Sequence, residues 1–258
     1  MSFLIKLPPT IAPIVFALIS VAITGILFVI AHFLFRGKRT EFTRTFAQQM
    51  ALRIGTMHAL VVALVFSVLT GQLIKLNQIT DTEVISVANV YWTLRDNVAP
   101  EAVELRKLIP DYLQTVIEKD WQAISKNPFN LPAWKLIERM EEIISKWEPS
   151  SPVDKMKRNY VFKNINTIAE SRDRRVIRRM AADLPPFFWF IAIFGYFMTL
   201  VPYLTVEHSK FRLLLVFCYA IIIGLMLYGI AVLDNPFLGQ VIHPTAFELL
   251  LDAIIAGQ

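Results

Sequence analysis

The sequence predicts an all-α membrane protein: four transmembrane helices, with a large helical extramembrane region between spans 2 and 3. Three observations carry that expectation. The 258-residue chain is 55% hydrophobic and 18% charged, with a mean hydropathy of +0.50. That is too apolar for an ordinary soluble domain. Four stretches without Asp, Glu, Lys or Arg each approach or exceed the ~20 helical residues that cross a bilayer core of about 30 Å. Between the second and third, charged residues of both signs are dense, apolar residues recur at spacings of three and four, and no strand-like alternation occurs.

Composition also narrows the function classes. The net charge of +5 is modest, and much of the excess lies beside the apolar stretches. Anionic lipid headgroups account for it better than nucleic acid does, and no nucleic-acid-binding motif is present. Cys218 is the single cysteine, so neither an intramolecular disulfide nor a cysteine metal cluster is expected. In its apolar run it reads as a small hydrophobe. His32, His58, His208 and His243 are dispersed, and the spans carry neither paired carboxylates nor a nucleophile beside a base. No catalytic residue, metal site or cofactor is therefore expected, and the chain does not read as an enzyme.

The first span covers residues 7–35, with Pro8, Pro9 and Pro13 near its start. Only Lys6 precedes it, and no cleavage pattern follows, so it reads as a span rather than a signal peptide. Arg36, Lys38 and Arg39 end it. Residues 40–53 form a basic connector in which Phe42, Phe46 and Met50 recur every four residues, the pattern of a short amphipathic helix on the membrane surface. The second span, residues 54–74, differs from the first. It carries Thr56, His58, Ser67, Thr70, Gly71 and Gln72, and small or hydroxylated residues in a span either let helices pack closely or line water.

Residues 79–183 read as a helical layer continuous with spans 2 and 3. Thr80 to Glu83 reads as a helix start, or as a cap within a helix continuing from the membrane. Pro100 and Glu101 open another helix, with Val103, Leu108, Leu113, Val116, Ile117 and Trp121 on its buried side. A loop at 127–132 leads to a helix at 133–147, with Leu136, Met140, Ile143, Ile144 and Trp147 inward. Ser151, Pro152 and Asp154 have the spacing of a capped start for the next helix. The third span is 184–206, with Pro185 and Pro186 in its first turn, and the fourth is 213–233. The short connector at 207–210 makes them a hairpin. Asp234, Pro236, Phe237 and Gly239 form a structural turn, in which Asp234 is placed to accept backbone amides. Thr245 caps a last amphipathic helix bearing Phe247, Leu250, Leu251 and Ile254 on one side. The chain thus divides into 1–78 (spans 1 and 2), 79–183 (extramembrane) and 184–258 (spans 3 and 4 with the tail).

Charge does not orient this arrangement. With the N-terminus inside, eight basic residues flank the inner ends of the spans and seven the outer ends.

Two spans, a helical insertion, two more spans and the Asp234–Gly239 turn resemble the bestrophin architecture. In this chain Leu238 is an extra residue between Phe237 and Gly239. More closely, the chain is similar to a bacterial family of unknown function that carries a bestrophin-like domain. His58 with Ala59, Asp173 with Arg174 and Arg175, Pro185, the run from Leu233 to Phe237, and the later Pro244 and Phe247 carry that similarity. It implies a homopentamer with cytoplasmic termini and helical layer, set in a bacterial inner membrane. Its partners would be membrane lipid and small inorganic ions, and span 2 would line a central pore. Bestrophins conduct anions, or in some bacterial members cations, and narrow at an apolar neck. The acidic cluster that binds calcium in some animal members is missing here.

On span 2, Thr56, Ala63, Ser67, Thr70 and Gln78 approximate one small, polar, pore-lining face, and Val65, Phe66, Leu69 and Leu73 are candidates for the neck. Which face meets the axis is not fixed by the sequence. No span contains a carboxylate, so a weak anion preference is expected. Arg172, Arg175, Arg178 and Arg179 read as an anion vestibule or a lipid anchor. Glu170 stands four residues before Arg174, at ion-pair spacing. The competing expectation is a non-conducting, membrane-anchored scaffold or sensor that binds a partner through residues 79–183.

Overall fold

The computed structural model describes residues 7–34, 41–124, 131–181, 184–204, 210–238 and 241–257. Among these the regular structure is entirely helical. The basic connector at 36–39, most of the 127–132 loop, the 207–209 connector and Gly239 lie outside the described residues. The helices are α1 (Ala12–Leu34), α2 (Glu41–Leu94), α3 (Pro100–Thr115), α4 (Trp134–Lys146), α5 (Pro152–Ala181), α6 (Pro186–Leu204), α7 (Lys210–Asp234) and α8 (Thr245–Ala256). Three are long and apolar enough to cross a membrane, within Ala12–Ile30, Thr45–Leu94 and Leu213–Asp234, while Pro186–Leu200 is a shorter apolar stretch. The chain forms two compact units, Met1–Gly71 with Asp183–Gln240, and Gln72–Ala182 with Val241–Gln258.

In the first unit α1 packs along α7, and α6 touches both. Gly224 is what lets α1 and α7 approach. A Cβ there would lie 2.8 Å from the Phe16 carbonyl oxygen and 2.9 Å from Ala17 Cα, so backbone would meet side chain. Small residues at such crossings replace the hydrophobic drive that apolar surroundings cannot supply. The polar groups of α1 are paired across the seam. Ser20 Oγ donates to Tyr196 Oη at 2.9 Å, Tyr196 Oη lies 3.0 Å from the Ser20 carbonyl, and the Thr24 hydroxyl also meets Tyr196.

In the second unit α4 packs on α3 and α5, and α8 packs on α3. Ser151 and Asp154 cap α5 reciprocally: the Asp154 amide donates to Ser151 Oγ at 3.1 Å, and Ser151 Oγ to Asp154 Oδ2 at 2.7 Å. Pro152 takes the first helical position. On α4 the buried set is Ile137, Met140, Ile143 and Ile144 with Trp147 beyond, so the predicted face is displaced only at Leu136, which is half-buried. On α3 the buried set is Ala102, Leu105, Ile109, Tyr112 and Leu113, whereas Val103 and Leu108 are only half-buried. Beyond α3, Val116–Asp120 forms a π turn, which interrupts the 3.6-residue period on which the predicted face relied.

Three other expectations are corrected. The described part of the 40–53 connector belongs to α2 and is not a separate surface helix. Thr80 to Glu83 lies well inside α2: no helix starts there and no cap forms, although the helix does continue from the second apolar stretch, as the other reading of these residues had it. Pro244, not Thr245, occupies the cap position of α8, with no side-chain capping bond.

Gly224→Ala is expected to destabilise the purified protein, by about 1–3 kcal/mol as overpacking does. Gly25→Ala is expected to be neutral or mildly stabilising, because its Cβ would meet only a Phe217 ring atom at 4.0 Å. Thermal unfolding of both variants in detergent, followed by circular dichroism, checks the contrast.

Candidate functional site

Helix α2 is 54 residues long and contains no proline. Its buried positions recur with helical spacing along one stripe: His58, Val62, Val65 and Leu69, then Leu76, Thr80, Glu83, Val87 and Val90. Positions half a turn away are exposed. Thr56, Ala63, Ser67 and Gln78 are open, and Thr70 is half-buried. The five candidate pore-lining residues therefore lie off the buried stripe, on the broad side turned away from the chain's own core.

The stripe is anchored in each unit. In the first, Val62, Val65 and Leu69 form a core with Leu184 and Ile230. His58 Nε2 lies 3.0 Å from the Ala192 carbonyl oxygen, and its ring covers Gly195. A Cβ on Gly195 would fall 2.9 Å from both Cγ and Nε2 of that ring, so only glycine accommodates it. Two candidate neck residues, Val65 and Leu69, are thus 4% and 0% exposed within a single chain. Phe66 lies against Gly229 on α7, and Leu73 is half-buried.

Two of the hydroxyls among these residues, those of Thr56 and Thr70, are already bonded along the helix. Thr56 Oγ1 donates to the Leu52 carbonyl at 2.8 Å and Thr70 Oγ1 to Phe66 at 2.9 Å. Such back-bonding leaves the oxygen lone pairs and methyl groups facing outward.

In the second unit the stripe carries an acid. Glu83 is fully buried and meets fully buried Arg175 with two bonds, Nε to Oε2 at 3.1 Å and Nη2 to Oε1 at 3.0 Å. Tyr112 Oη donates to Glu83 Oε1 at 2.7 Å. Burial, and then the Glu83 charge, push the Tyr112 pKa well above its ordinary value, so its proton stays in place to donate. Burial works against the Arg175 charge, but the Glu83 carboxylate outweighs it and raises the guanidinium pKa. The rings of Trp121 and Phe247 lie 5.1 and 5.7 Å from the guanidinium carbon, giving the cation aromatic contact on top of its ion pair.

A second pair stands beside it. Arg172 Nη2 lies 3.4 Å from Asp120 Oδ2 and donates to the Leu131 carbonyl at 3.1 Å, with the Trp134 ring 5.4 Å away. Asp120, at the end of the π turn, also accepts the Ala133 amide at 3.2 Å. Burial raises its pKa above the ordinary 3.8, against the pull of the Ala133 bond and the arginines.

The arginine-dense stretch therefore divides. Arg172 and Arg175 turn inward to carboxylates. Arg174 is exposed and pairs with Glu170 at 2.5 Å, at the spacing read from the sequence. The side chains of Arg178 and Arg179 lie outside the described residues. Glu83 and Asp120 were not singled out as site residues, yet Glu83 had a signal. It is seven residues beyond Leu76 and four before Val87, an acid where the stripe calls for an apolar residue.

At the Asp234 turn, the Leu184 amide donates to Asp234 Oδ1 at 2.6 Å and Trp189 Nε1 to Oδ2 at 3.2 Å. Asp234 thus accepts a backbone amide from the start of the third apolar stretch, just before Pro185. Pro236 is buried and Phe237 half-buried.

The comparisons with known proteins agree with this helical arrangement. The family model described as "Bestrophin-like domain" matches residues 17–247. A bacterial bestrophin homologue from Klebsiella pneumoniae, solved with a point mutation, superposes with a TM-score of 0.63 at 12% identity, covering 94% of this chain and 97% of that one. At that identity the likeness concerns the fold. No curated protein matches. This chain belongs to the bestrophin-like family, and with its apolar helices it has the character of an integral membrane protein.

Two outcomes follow for the buried pairs. Arg175→Met is expected to cost about 3–5 kcal/mol by leaving Glu83 uncompensated, and the double variant Glu83→Leu with Arg175→Met to regain much of that. Chemical denaturation of the two variants measures the difference. For Asp120 the folded pKa is raised, so its contribution is fully present below 3.8 and is lost as pH rises through the raised value. Asp120→Asn should therefore flatten the fall in melting temperature between acid and neutral pH; parallel curves for the two proteins would refute this.

Proposed function

We propose that the chain forms a homopentameric ion channel of the bestrophin type, with α2 lining a central pore and a weak preference for anions. The observation that supports the reading is the division of α2 into a buried stripe and an open side carrying Thr56, Ala63, Ser67 and Gln78. A helix that keeps small and polar groups turned from its own core has a use for them, and a water-filled axis between copies of the chain is such a use. The apolar constriction falls to Leu60 and Ile74, which are 67% and 52% exposed on the same side, because Val65 and Leu69 are already spent within the chain. Thr56 and Thr70 present lone pairs outward, so the anion preference rests on the Gln78 amide and the absence of carboxylates from the spans.

In this reading α6, a 19-residue apolar helix, completes four spans. Residues 79–183 and both termini are cytoplasmic, and the protein sits in a bacterial inner membrane, with lipid and small ions as its partners. Residues 1–78 and 184–258 are its membrane parts. Arg178 and Arg179 remain candidates for the vestibule or lipid-anchor role.

Two measurements test the proposal. Single-particle imaging should show five subunits around a cavity; a monomer or dimer without one would leave the scaffold reading. In a Cys218→Ser background, Ser67→Cys should lose conductance on treatment with a charged thiol reagent, while Val65→Cys should not. In an asymmetric KCl gradient the reversal potential should lie towards that of chloride.

A further inference from the structure

Helices α2 and α5 enclose, within the second unit, a groove of about 630 Å³ that neither buried ion pair uses. Its α2 wall presents Lys75, Gln78 and Thr82, and its α5 wall Ser171, Arg174 and Ile177. The spacings of three, four and seven on α2, and of three on α5, set each group along one helix face. No carboxylate is among the lining residues.

The donors outnumber the acceptors. Lys75 is exposed and makes no ion pair with a described residue. Arg174 engages Glu170 through Nη2 alone, which leaves further N–H donors of its guanidinium unengaged. Thr82 is committed, its hydroxyl donating to the Gln78 carbonyl at 2.8 Å, so it contributes wall rather than a donor. Ser171 lines the groove as well, and its hydroxyl forms no hydrogen bond with a described residue, so it adds a donor on the α5 wall.

We propose that this groove binds a phosphate-bearing anion, held by Lys75, Arg174 and Ser171. A tetrahedral anion with several acceptor oxygens uses convergent donors of both the point-charge and the forked kind. Two sources carry that chemistry, a phospholipid headgroup and a free phosphate. Lys75 follows the apolar stretch 54–74 of the same helix by one residue, which places the groove at headgroup level once that stretch spans a membrane. Ile177, 62% exposed, gives the groove an apolar flank for the glycerol end of a lipid. The site goes beyond the channel reading and does not depend on conduction.

The test uses the full-length protein in a neutral detergent, with dioctanoyl phosphatidylglycerol, dioctanoyl phosphatidylcholine and inorganic phosphate as separate probes. Ligand-dependent rise in melting temperature reports binding. The phosphatidylglycerol should stabilise the protein and the phosphatidylcholine should not. Lys75→Gln with Arg174→Gln should weaken the apparent affinity about tenfold or more, Ser171→Ala should weaken it less, and added salt should reduce it. Lys155→Gln with Lys163→Gln, exposed cations outside the groove, controls for net charge and should change nothing. Inorganic phosphate acting with the same variant sensitivity, and phosphatidylglycerol adding nothing further, would identify the soluble anion as the source. No stabilisation by either anion, or equal losses in the groove and control variants, would overturn the proposal.

Discussion

The pairing of Glu83 with Arg175 constrains the second unit more than any other contact. Two ions withdrawn from water cost several kcal/mol each after relaxation, and their attraction offsets that only when geometry is good and the remaining polar atoms are satisfied. The two-pronged contact, the Tyr112 proton and the Trp121 and Phe247 rings meet most of this requirement. Not every group is satisfied: Arg175 Nη1 and Arg172 Nε are buried without a partner among the described residues. The surrounding elements serve the pair. Helix α3 supplies Tyr112, α8 supplies Phe247, and the Trp121 ring donates to the Ile242 carbonyl at 3.2 Å, tying the approach of α8 to the same cluster.

The first unit solves a different problem. Its helices are apolar on nearly all sides, so burying apolar area does not choose among packings. Shape and isolated polar bonds choose instead. Gly224 admits α1, Gly195 admits the His58 ring, and Tyr196 gathers the hydroxyls of α1. Asp234 closes the hairpin by accepting an amide that precedes Pro185, a bond across the pair rather than within the turn.

What was legible in the sequence was periodicity and punctuation. The α5 cap was readable because Ser151, Pro152 and Asp154 have one local use. The inward face of α4 was readable because one short helix keeps one phase. The face of α3 was read only in part: Leu113, Val116 and Trp121 are buried as expected, but upstream of the π turn Ala102, Leu105 and Ile109 carry the stripe in place of Val103 and Leu108. The buried arginines were not read. A dense basic run beside an apolar stretch has a surface explanation at hand, and only the partner acids, 92 and 52 residues away, overrule it. Their spacing of three was visible, but spacing says which residues share a face and not where the face looks. The open side of α2 was visible as composition, while its rotation awaited the stripe that fixes it.

The hydroxyls of Thr56 and Thr70 have a consequence of their own. Their protons are held by the carbonyls one turn back, so departing solvent strands no donor there. Together with alanine and leucine neighbours they make a surface close to balance between wet and dry. If that side lines a water-filled axis, as proposed, such a surface would fill or empty as a collective event, and a small change in the width of the axis or in a nearby charge would tip it.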